Sequence, residues 1–232
     1  MRGRDGRMIV TIDGPAGSGK STTARAVAER LGFRHLDSGA FYRAITLVAL
    51  RAETPVERWA ALAAADLDRF NIHAQPAGDA TFRLFTGDED ITGDLRSADV
   101  NANVSRMAEL PAVRGWLFGR LRNAAEGGDL VADGRDMGTV VFPDAHLKVF
   151  LTADLAERAR RRLEQEGRAN PSPEEIAAEV RRIAERDRVD TERQHAPLQP
   201  ATDAIVVDTT RLGFDEQVDR IIELARARQA KR

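Results

Sequence analysis

Short apolar runs rich in β-branched residues alternate along the chain with longer segments whose apolar positions recur at helical spacing. The runs predicted as strands are 8–13, 33–36, 129–133, 146–152 and 204–208. The segments predicted as helices are 20–32, 40–50, about 56–68 and 214–227. This alternation favours an α/β fold with a mainly parallel sheet and helices on both of its faces.

The alternation is interrupted between Phe70 and Ile91, where FNIHA, TFRLF and EDI have the pattern of short antiparallel strands. The turn sequences QPAGD and TGD separate these segments. The pattern predicts a small β-rich subdomain inserted into the parallel arrangement.

Arginine-rich helical segments dominate the region between Asp154 and Arg193. ERARRRLEQEGR (157–168) predicts one helix, and Ser172 with Pro173 is a typical start for a second. Taken alone, the charge-dense RDRVDTER (186–193) is typical of an exposed helix face.

The composition is that of an ordinary globular protein, with 232 residues, a formal net charge of −2 and no cysteine. The charge argues against a general nucleic-acid binder but is compatible with a locally positive cleft. The lack of cysteine excludes disulfides and thiolate chemistry. Residues 1–7 are basic, yet the apolar run after them is too short for a signal peptide, and no later run could span a membrane. We therefore expect a cytoplasmic protein with a loose N-terminal extension.

The most specific motif is GPAGSGKS (14–21), which matches G-x-x-x-x-G-K-[ST] between a predicted strand and a predicted helix. Its glycines allow the backbone N–H groups to surround phosphate oxygens, and the following helix N-terminus adds positive potential. Lys20 can reach the β- and γ-phosphates of a nucleotide, and the Ser21 hydroxyl can ligate Mg²⁺. The nucleotide-binding residues predicted here are Gly14, Pro15, Ala16, Gly17, Ser18, Gly19, Lys20, Ser21 and Thr22.

Asp133 ends the apolar strand LVAD and has two interpretations that the sequence leaves open. It can support bound Mg²⁺ from beyond the direct ligands, or it can simply form a turn before Gly134.

Other polar residues follow the predicted strands. Asp37 and Ser38 come after the second strand and can cap the next helix, with Tyr42 and Arg43 one turn further on. Arg135 and Asp136 follow LVAD. Because ligands of parallel sheets bind beyond the carboxyl ends of the strands, these residues are expected near GPAGSGKS (14–21), the phosphate-binding loop or P-loop.

Five motifs together make the chain similar to the bacterial cytidylate kinase family, a branch of the nucleoside monophosphate kinases. They are IDGPAGSGKST (12–22), LDSGAFYR (36–43), ADGRDMGTVVFPDA (132–145), RDRVDTER (186–193) and APL (196–198). They occur in the family's order and span most of the chain. The β-rich stretch near 70–97 matches the enlarged monophosphate-binding region of the bacterial enzymes.

The resemblance implies a P-loop NTPase-type parallel sheet with flanking helices, a monophosphate-binding insertion at about 56–105 and a helical lid at about 154–195. The core then comprises 8–55, 106–153 and 196–232. The implied reaction is phosphorylation of CMP or dCMP by ATP with Mg²⁺, in a monomer that binds neither nucleic acid nor membrane. The acceptor phosphate is already ionised near neutral pH, so alignment and cations are needed rather than a general base.

The resemblance also implies roles for individual residues. Arg43, Arg135 and Arg193 would hold the acceptor phosphate, and Ser38, Arg186 and Asp190 the ribose. Ser105, Arg114 and Asp136 would read the base. In a helix, Arg186, Asp190 and Arg193 would share one face, leaving Asp187, Arg188 and Glu192 at its sides. The substrate-binding set is Asp37, Ser38, Tyr42, Arg43, Ser105, Arg114, Arg135, Asp136, Arg186, Asp190 and Arg193.

The lid arginines Arg158, Arg161 and Arg162 are candidates for contacting the transferring phosphoryl group. The predicted catalytic residues are Lys20, Arg135, Arg161 and Arg193. Two alternatives remain at this stage: a P-loop kinase of another small acceptor, and a non-enzymatic nucleotide-dependent switch. A switch would be expected to carry a base-reading motif such as N-K-x-D, which this sequence lacks.

Overall fold

Five parallel strands form the main sheet of the computed structural model, which describes residues 6–78, 81–168 and 170–230. The strands are β1 (Ile9–Asp13), β2 (Arg34–Asp37), β6 (Leu130–Gly134), β7 (Leu147–Thr152) and β8 (Ile205–Asp208). Their order across the sheet is β2-β6-β1-β7-β8. The predicted strands are confirmed to within one residue at each end, and their parallel arrangement is confirmed as well.

Eight α-helices occur in the described part of the chain. They are α1 (Lys20–Leu31), α2 (Ser38–Arg51), α3 (Ala64–Arg69), α4 (Ala98–Glu109), α5 (Pro111–Ala124), α6 (Leu155–Gln165), α7 (Pro173–Glu192) and α8 (Phe214–Gln229). The left-handed Gly32, at φ 70°, ends α1 as predicted. The Asp37 carboxylate accepts a hydrogen bond from the Ala40 N–H and caps α2.

Separate apolar layers cover the two faces of the main sheet. Val10 and Ile12 of β1 pack with Val27 of α1 and Ile221 of α8. Leu36 and Ala132 belong to the larger layer on the opposite face, which also contains residues of α2, α4 and α5. The alternation of side chains along the inner strands β6, β1 and β7 therefore buries both of their faces, as expected for a parallel sheet.

The predicted insertion contains an antiparallel sheet of β3 (Ile72–Pro76), β4 (Phe82–Thr86) and β5 (Glu89–Asp90). Residue 79, in the predicted QPAGD turn, lies outside the described residues. The continuous helix predicted at 56–68 is wrong: a 3₁₀ helix (Val56–Ala61) is followed by an extended break and then α3. Two local bonds favour the break, because the Trp59 indole N–H donates to the Thr54 carbonyl and Asp66 accepts from the Ala63 N–H.

The two helices predicted for the lid are present as α6 and α7. Ser172 caps α7 through a reciprocal pair of bonds with Glu175, as the Ser-Pro start indicated. The helix ends at Glu192, so the expectation that Arg193 continues it is wrong. Arg193 leaves the helix in an extended conformation, yet its guanidinium still lies 3.6 Å from the Asp190 carboxylate.

Residues 1–5 of the predicted extension lie outside the described residues. Arg7, at its end, is not loose, since its guanidinium donates to the Ala125 carbonyl. Within residues 6–78, 81–168 and 170–230, no helix combines the length and apolar character that crossing a membrane would need.

Leu117 and Leu155 offer a matched test of which leucines stabilise the fold. Leu117 of α5 is fully buried in the larger apolar layer, whereas Leu155 at the start of α6 is 38% exposed. We expect Leu117→Ala to lower the free energy of unfolding by about 2–5 kcal/mol, because it leaves a cavity. Leu155→Ala should cost less than about 1 kcal/mol. Urea denaturation of both variants checks this, and equal losses would contradict the assigned core.

Candidate active site

A cleft of about 640 Å³ opens at the carboxyl edge of the main sheet. It is bounded by the P-loop, the start of α2, the residues after β6, helix α4 and the end of α7. The sheet order places β6 between β1 and β2, so the segments that follow these three strands meet at one place. A cleft of this size suits a ligand of nucleotide dimensions.

The P-loop connects β1 to α1 and depends on its glycines. A side chain at Gly14 would place its Cβ 2.1 Å from the Leu151 carbonyl oxygen, and Gly17 and Gly19 have φ of 72° and 80°. The loop residues that line the cleft are Ala16, Gly17, Gly19, Lys20, Ser21 and Thr22. Gly14, Pro15 and the fully buried Ser18 lie behind them.

Lys20 is held at the centre of this loop. Its ammonium donates to the Pro15 carbonyl at 3.1 Å. Burial, reinforced by the charge of Arg135, lowers the pKa of Lys20 to about 7. An anion in the cleft would therefore favour the protonated form of Lys20.

Asp133 is a buried junction rather than a turn-forming residue. Its carboxylate accepts from the Ser21 hydroxyl at 2.5 Å and lies 2.7 Å from Nε2 of His35. Its backbone carbonyl accepts from the Ser38 hydroxyl at 2.8 Å. Asp133 therefore lies beside Ser21. Its support of a bound Mg²⁺ stays a prediction. The contact with His35 had no signal in the sequence.

A hydroxyl and a carboxylate therefore lie side by side at the start of α1. Oxygen donors of this kind are what Mg²⁺ prefers in proteins. Within the described residues, no cluster of three or more His, Asp or Glu side chains could enclose a metal ion. A cation at Ser21 would thus need oxygens from a bound ligand or water to complete its coordination.

Four arginines line the cleft beside the P-loop: Arg43, Arg135, Arg186 and Arg193. Among the carboxylates of the described residues, Asp190 is the one that pairs closely with this group, accepting from Nε of Arg135 at 2.8 Å and lying 3.6 Å from the Arg193 guanidinium. Burial and the charge of Arg135 lower the pKa of Arg186 to about 10. Burial would raise the pKa of Asp190, but the charges of Arg135 and Arg186 hold it below its ordinary value.

The arginine cluster retains unused hydrogen-bond donors. Arg43 Nε, Arg186 Nε and one terminal nitrogen of Arg193 are buried and have no hydrogen-bond partner within the described protein. Such donors are costly to bury unless they gain an acceptor. Their concentration beside a phosphate-binding loop makes the cleft suited to a second phosphorylated group.

A buried ion pair lies against the opposite wall of the cleft. Arg114 of α5 bonds to Asp136, and both side chains are 3% exposed. Arg114 also donates to the Ala108 carbonyl and stacks over the Tyr42 ring at 5.7 Å. Burial raises the pKa of Asp136, although Arg114 opposes that rise. Ser105, on α4, lines the same cleft and is half-buried.

The other predicted acceptor-site residues are also brought together. Asp37 and Ser38 line the cleft at the start of α2, with Tyr42 and Arg43 one turn later. Arg96 from the insertion reaches the Asp37 carboxylate at 3.7 Å and was not predicted. Thr22 uses its hydroxyl locally, donating to the Gly19 carbonyl.

The three candidate lid arginines have different surroundings. Arg162 lines the cleft. Arg161 lines a neighbouring groove instead, and its guanidinium donates to the Thr209 carbonyl at 2.7 Å and the Thr209 hydroxyl at 3.0 Å. Arg158 is buried behind the P-loop and bonds to the Ala16 carbonyl, so it does not reach the cleft. A catalytic role for Arg161 stays a prediction.

The neighbouring groove was not predicted from the sequence. It measures about 720 Å³, lies between α1, α6 and the start of α8, and shares Gly19 and Thr22 with the main cleft. Its far side is formed by Leu212, in the loop after β8, and by Phe214, the first residue of α8. The rule that ligands bind beyond the carboxyl ends of parallel strands applies to β8 too and could have indicated this groove.

Asp13, like Arg96, was given no role from the sequence. It is buried, and its two carboxylate oxygens accept from the N–H groups of Met137 and Gly138 at 2.8 and 2.7 Å. These bonds hold the turn that directly follows Asp136. Burial raises the pKa of Asp13 to about 7, although the two backbone bonds oppose the rise.

Comparison with known proteins agrees with this geometry. A family model described as cytidylate kinase matches residues 10–227. Cytidylate kinase from Salinibacter ruber is 46% identical over 231 residues, covering 97% of this chain and 99% of that protein. Cytidylate kinases from Mycobacterium avium and Geobacillus kaustophilus are 44% and 43% identical, covering 95% and 96% of this chain and 96% and 98% of those proteins. With matches of this extent on a parallel α/β core that carries a P-loop, the chain belongs to the cytidylate kinase family.

Proposed function

We propose that the chain transfers the γ-phosphoryl group of ATP to CMP or dCMP, forming ADP and CDP or dCDP. The observation that carries the proposal is the pairing of a P-loop with Arg43, Arg135 and Arg193 in one cleft. The first element suits the donor's phosphates and the second suits the acceptor's phosphate. Membership of the cytidylate kinase family makes cytidine monophosphates the favoured acceptors.

The donor would lie along the P-loop, with its phosphates near Lys20 and the N–H groups at the start of α1. Gly19 and Thr22 line both the main cleft and the neighbouring groove. From that loop the groove extends towards Phe214, which is 49% exposed. An exposed aromatic ring in a groove adjoining a phosphate site is suited to the nucleoside part of ATP. We therefore assign the groove to the donor and the main cleft to the acceptor.

Mg²⁺ would be held at the Ser21 hydroxyl, with Asp133 fixing that hydroxyl through their hydrogen bond. When bound, the cation neutralises charge on the donor's phosphate oxygens. Lys20 contributes a second positive charge from within the loop.

In the transfer, an oxygen of the acceptor phosphate attacks the γ-phosphorus while the bond to the β-phosphate oxygen breaks and ADP leaves. No base is needed, because a phosphate monoester has a second pKa of about 6. The chain's contribution is alignment and charge: Arg135 and Arg193 bind phosphate oxygens bidentately and remain ionised. Asp190 accepts from Arg135 and so fixes the orientation of that guanidinium.

Base selection would depend on the Asp136–Arg114 pair. A carboxylate accepts from the 4-amino group of cytosine, and an arginine donates to N3 or O2. Uracil presents a carbonyl and an N–H at the corresponding atoms, leaving buried groups unpaired at a cost of about 1–3 kcal/mol each. Ser38 and Arg186, with Asp190, are assigned to the ribose. A monomeric state and a cytoplasmic location stay predictions.

The choice of acceptor tests the proposed function directly. ADP should form rapidly with CMP and at least about tenfold more slowly with UMP, AMP or GMP. Uracil and guanine present a carbonyl where cytosine presents its 4-amino group to Asp136, and adenine, which has an amino group, is a larger two-ring base. A coupled ADP-release assay with the four monophosphates measures this. Equal rates with all four acceptors, or no turnover with any of them, would contradict the proposed function.

Arg193 and Glu192 are neighbours with opposite environments. The Arg193 side chain is 7% exposed in the cleft, whereas Glu192 is 62% exposed and bonds only to Arg188 among the described side chains. Arg193→Ala should lower kcat/KM for CMP at least about tenfold, or about 1.4 kcal/mol, and Glu192→Ala should have little effect. Steady-state kinetics of both variants checks this. Similar losses of kcat/KM in the two variants would show that residues 186–193 form only an exposed surface and not part of the site.

Lys20 should make donor binding depend on pH. Its pKa of about 7 in the free protein means that it is largely neutral at pH 8, while bound phosphates restore its charge. Binding should therefore take up a proton above pH 7, and affinity should fall as pH rises, by at most about tenfold per unit.

Calorimetry with a non-hydrolysable ATP analogue, in Tris and HEPES at pH 8, measures the proton uptake. Lys20→Arg is the control, because a guanidinium stays charged throughout this range. Absence of uptake by the wild-type protein would contradict the assigned role of Lys20.

A further inference from the structure

The peptide groups of Ala16 in the P-loop are occupied by side chains of the lid. The Ala16 N–H donates to Oδ1 of Asp187 at 3.1 Å, and the Ala16 carbonyl accepts from the Arg158 guanidinium at 2.9 Å. Asp187 belongs to α7 and Arg158 to α6. Both lid helices therefore bind the same residue of the phosphate-binding loop.

The two lid side chains also bind each other. The Arg158 guanidinium donates to Oδ2 of Asp187 at 2.5 Å, and its Nε donates to the Ala153 carbonyl at 2.9 Å. Arg158 is 8% exposed and Asp187 is 19% exposed. Shielding from water strengthens such a charge-assisted contact relative to the exposed ion pairs elsewhere on the lid.

Apolar packing completes the contact. The Ala16 methyl group lies in a small buried cluster with Ala159 of α6 and Ile183 of α7. A Cβ at Gly17 would come within 3.0 Å of the Arg158 carbonyl oxygen and 3.3 Å of Ile183 Cδ1. The base of the lid is therefore in direct contact with the P-loop.

This arrangement corrects the interpretation of Asp187 as a flanking surface residue. Asp187 directly follows Arg186, which lines the cleft, and precedes Asp190 by less than one helical turn. Fixing Asp187 against Ala16 therefore sets the rotation of α7 that turns Arg186 and Asp190 towards the cleft.

We propose that Arg158 and Asp187 are positioning residues that hold the acceptor-binding end of α7 in register with the phosphate-binding loop. The proposal rests on the proposed function, in which that loop carries the donor and α7 carries the acceptor. Because transfer requires the two phosphates to be aligned, the clamp should affect kcat more than the binding of either nucleotide. Poor seating of the lid should also admit water as a competing acceptor.

Asp187→Ala is the principal test, and Glu185→Ala is its matched control. Glu185 lies on the same helix, is 61% exposed and bonds to Arg188 rather than to the loop. Asp187→Ala should lower kcat with CMP at least about tenfold while the KM values for CMP and ATP change by less than about threefold. The amount of CDP formed per ATP consumed should also fall. Asp187→Asn, which keeps a carbonyl acceptor for the Ala16 N–H, should recover part of both losses.

A purely structural ion pair would give a different result. Loss of folded protein lowers CDP formation and ATP consumption in proportion, so an unchanged CDP-to-ATP ratio in Asp187→Ala would overturn the proposal. A kcat of Asp187→Ala within about twofold of the wild-type value would also overturn the proposal.

Hydrogen exchange separates this proposal from the proposed function. Peptides covering residues 14–20 should exchange at least about tenfold faster in Asp187→Ala than in the wild type or Glu185→Ala, because the Ala16 N–H loses its acceptor. If the wild type makes no CDP but exchange responds in this way, the proposed function fails and the clamp stands. If the wild type makes CDP and exchange is unchanged, the clamp alone fails.

Discussion

The position of β6 between β1 and β2 governs the arrangement of the site. Those two strands are adjacent along the chain, and β6 enters between them only after the insertion and helices α4 and α5. Its end therefore places Asp133 beside Ser21, and the following Arg135 and Asp136 between the P-loop and the start of α2. A different strand order would separate the two halves of the cleft.

Concentrated positive charge is the second constraint. Burial, together with the nearby charges of Arg135 and Arg186, lowers the pKa of Lys20 to about 7. Asp190 offsets part of this repulsion by pairing with Arg135, and Asp136 pairs with Arg114 on the opposite wall. The remaining charge disfavours the free protein but is complementary to two phosphorylated ligands. The like charges thus lower the stability of the free protein, but they are already in place to bind phosphates, as is common in active sites.

The lid connects these two features. Its helices α6 and α7 extend from the sheet edge and return to it. Arg158 of α6 and Asp187 of α7 contact Ala16, while Arg162 and Arg186 line the cleft. The exposed ion pairs of Arg160 and Arg188 contribute little by comparison, because solvent screens them. Burial therefore distinguishes Arg158, which contacts the P-loop, from Arg160 and Arg188, whose ion pairs lie at the surface.

The amino-acid sequence alone was enough to predict the parallel α/β fold, the P-loop, the cap of α2 and the Ser172 start of α7, because each of these signals lies in residues close together in the chain. With the family motifs it also identified most residues that line the cleft. The tertiary structure decided what depends on distant partners. Arg158 turns towards Ala16, whereas Arg161 turns towards Thr209. The continuous helix predicted at 56–68 is wrong for a local reason that helical spacing does not reveal, since Trp59 and Asp66 bond to residues within five positions of them. Helical spacing assigned Arg193 to α7, but the chain leaves that helix at Glu192 and reaches Asp190 by another path. Spacing along a chain fixes which face of a helix a residue occupies, whereas the direction of a long charged side chain is set by whichever buried partner lies within its reach.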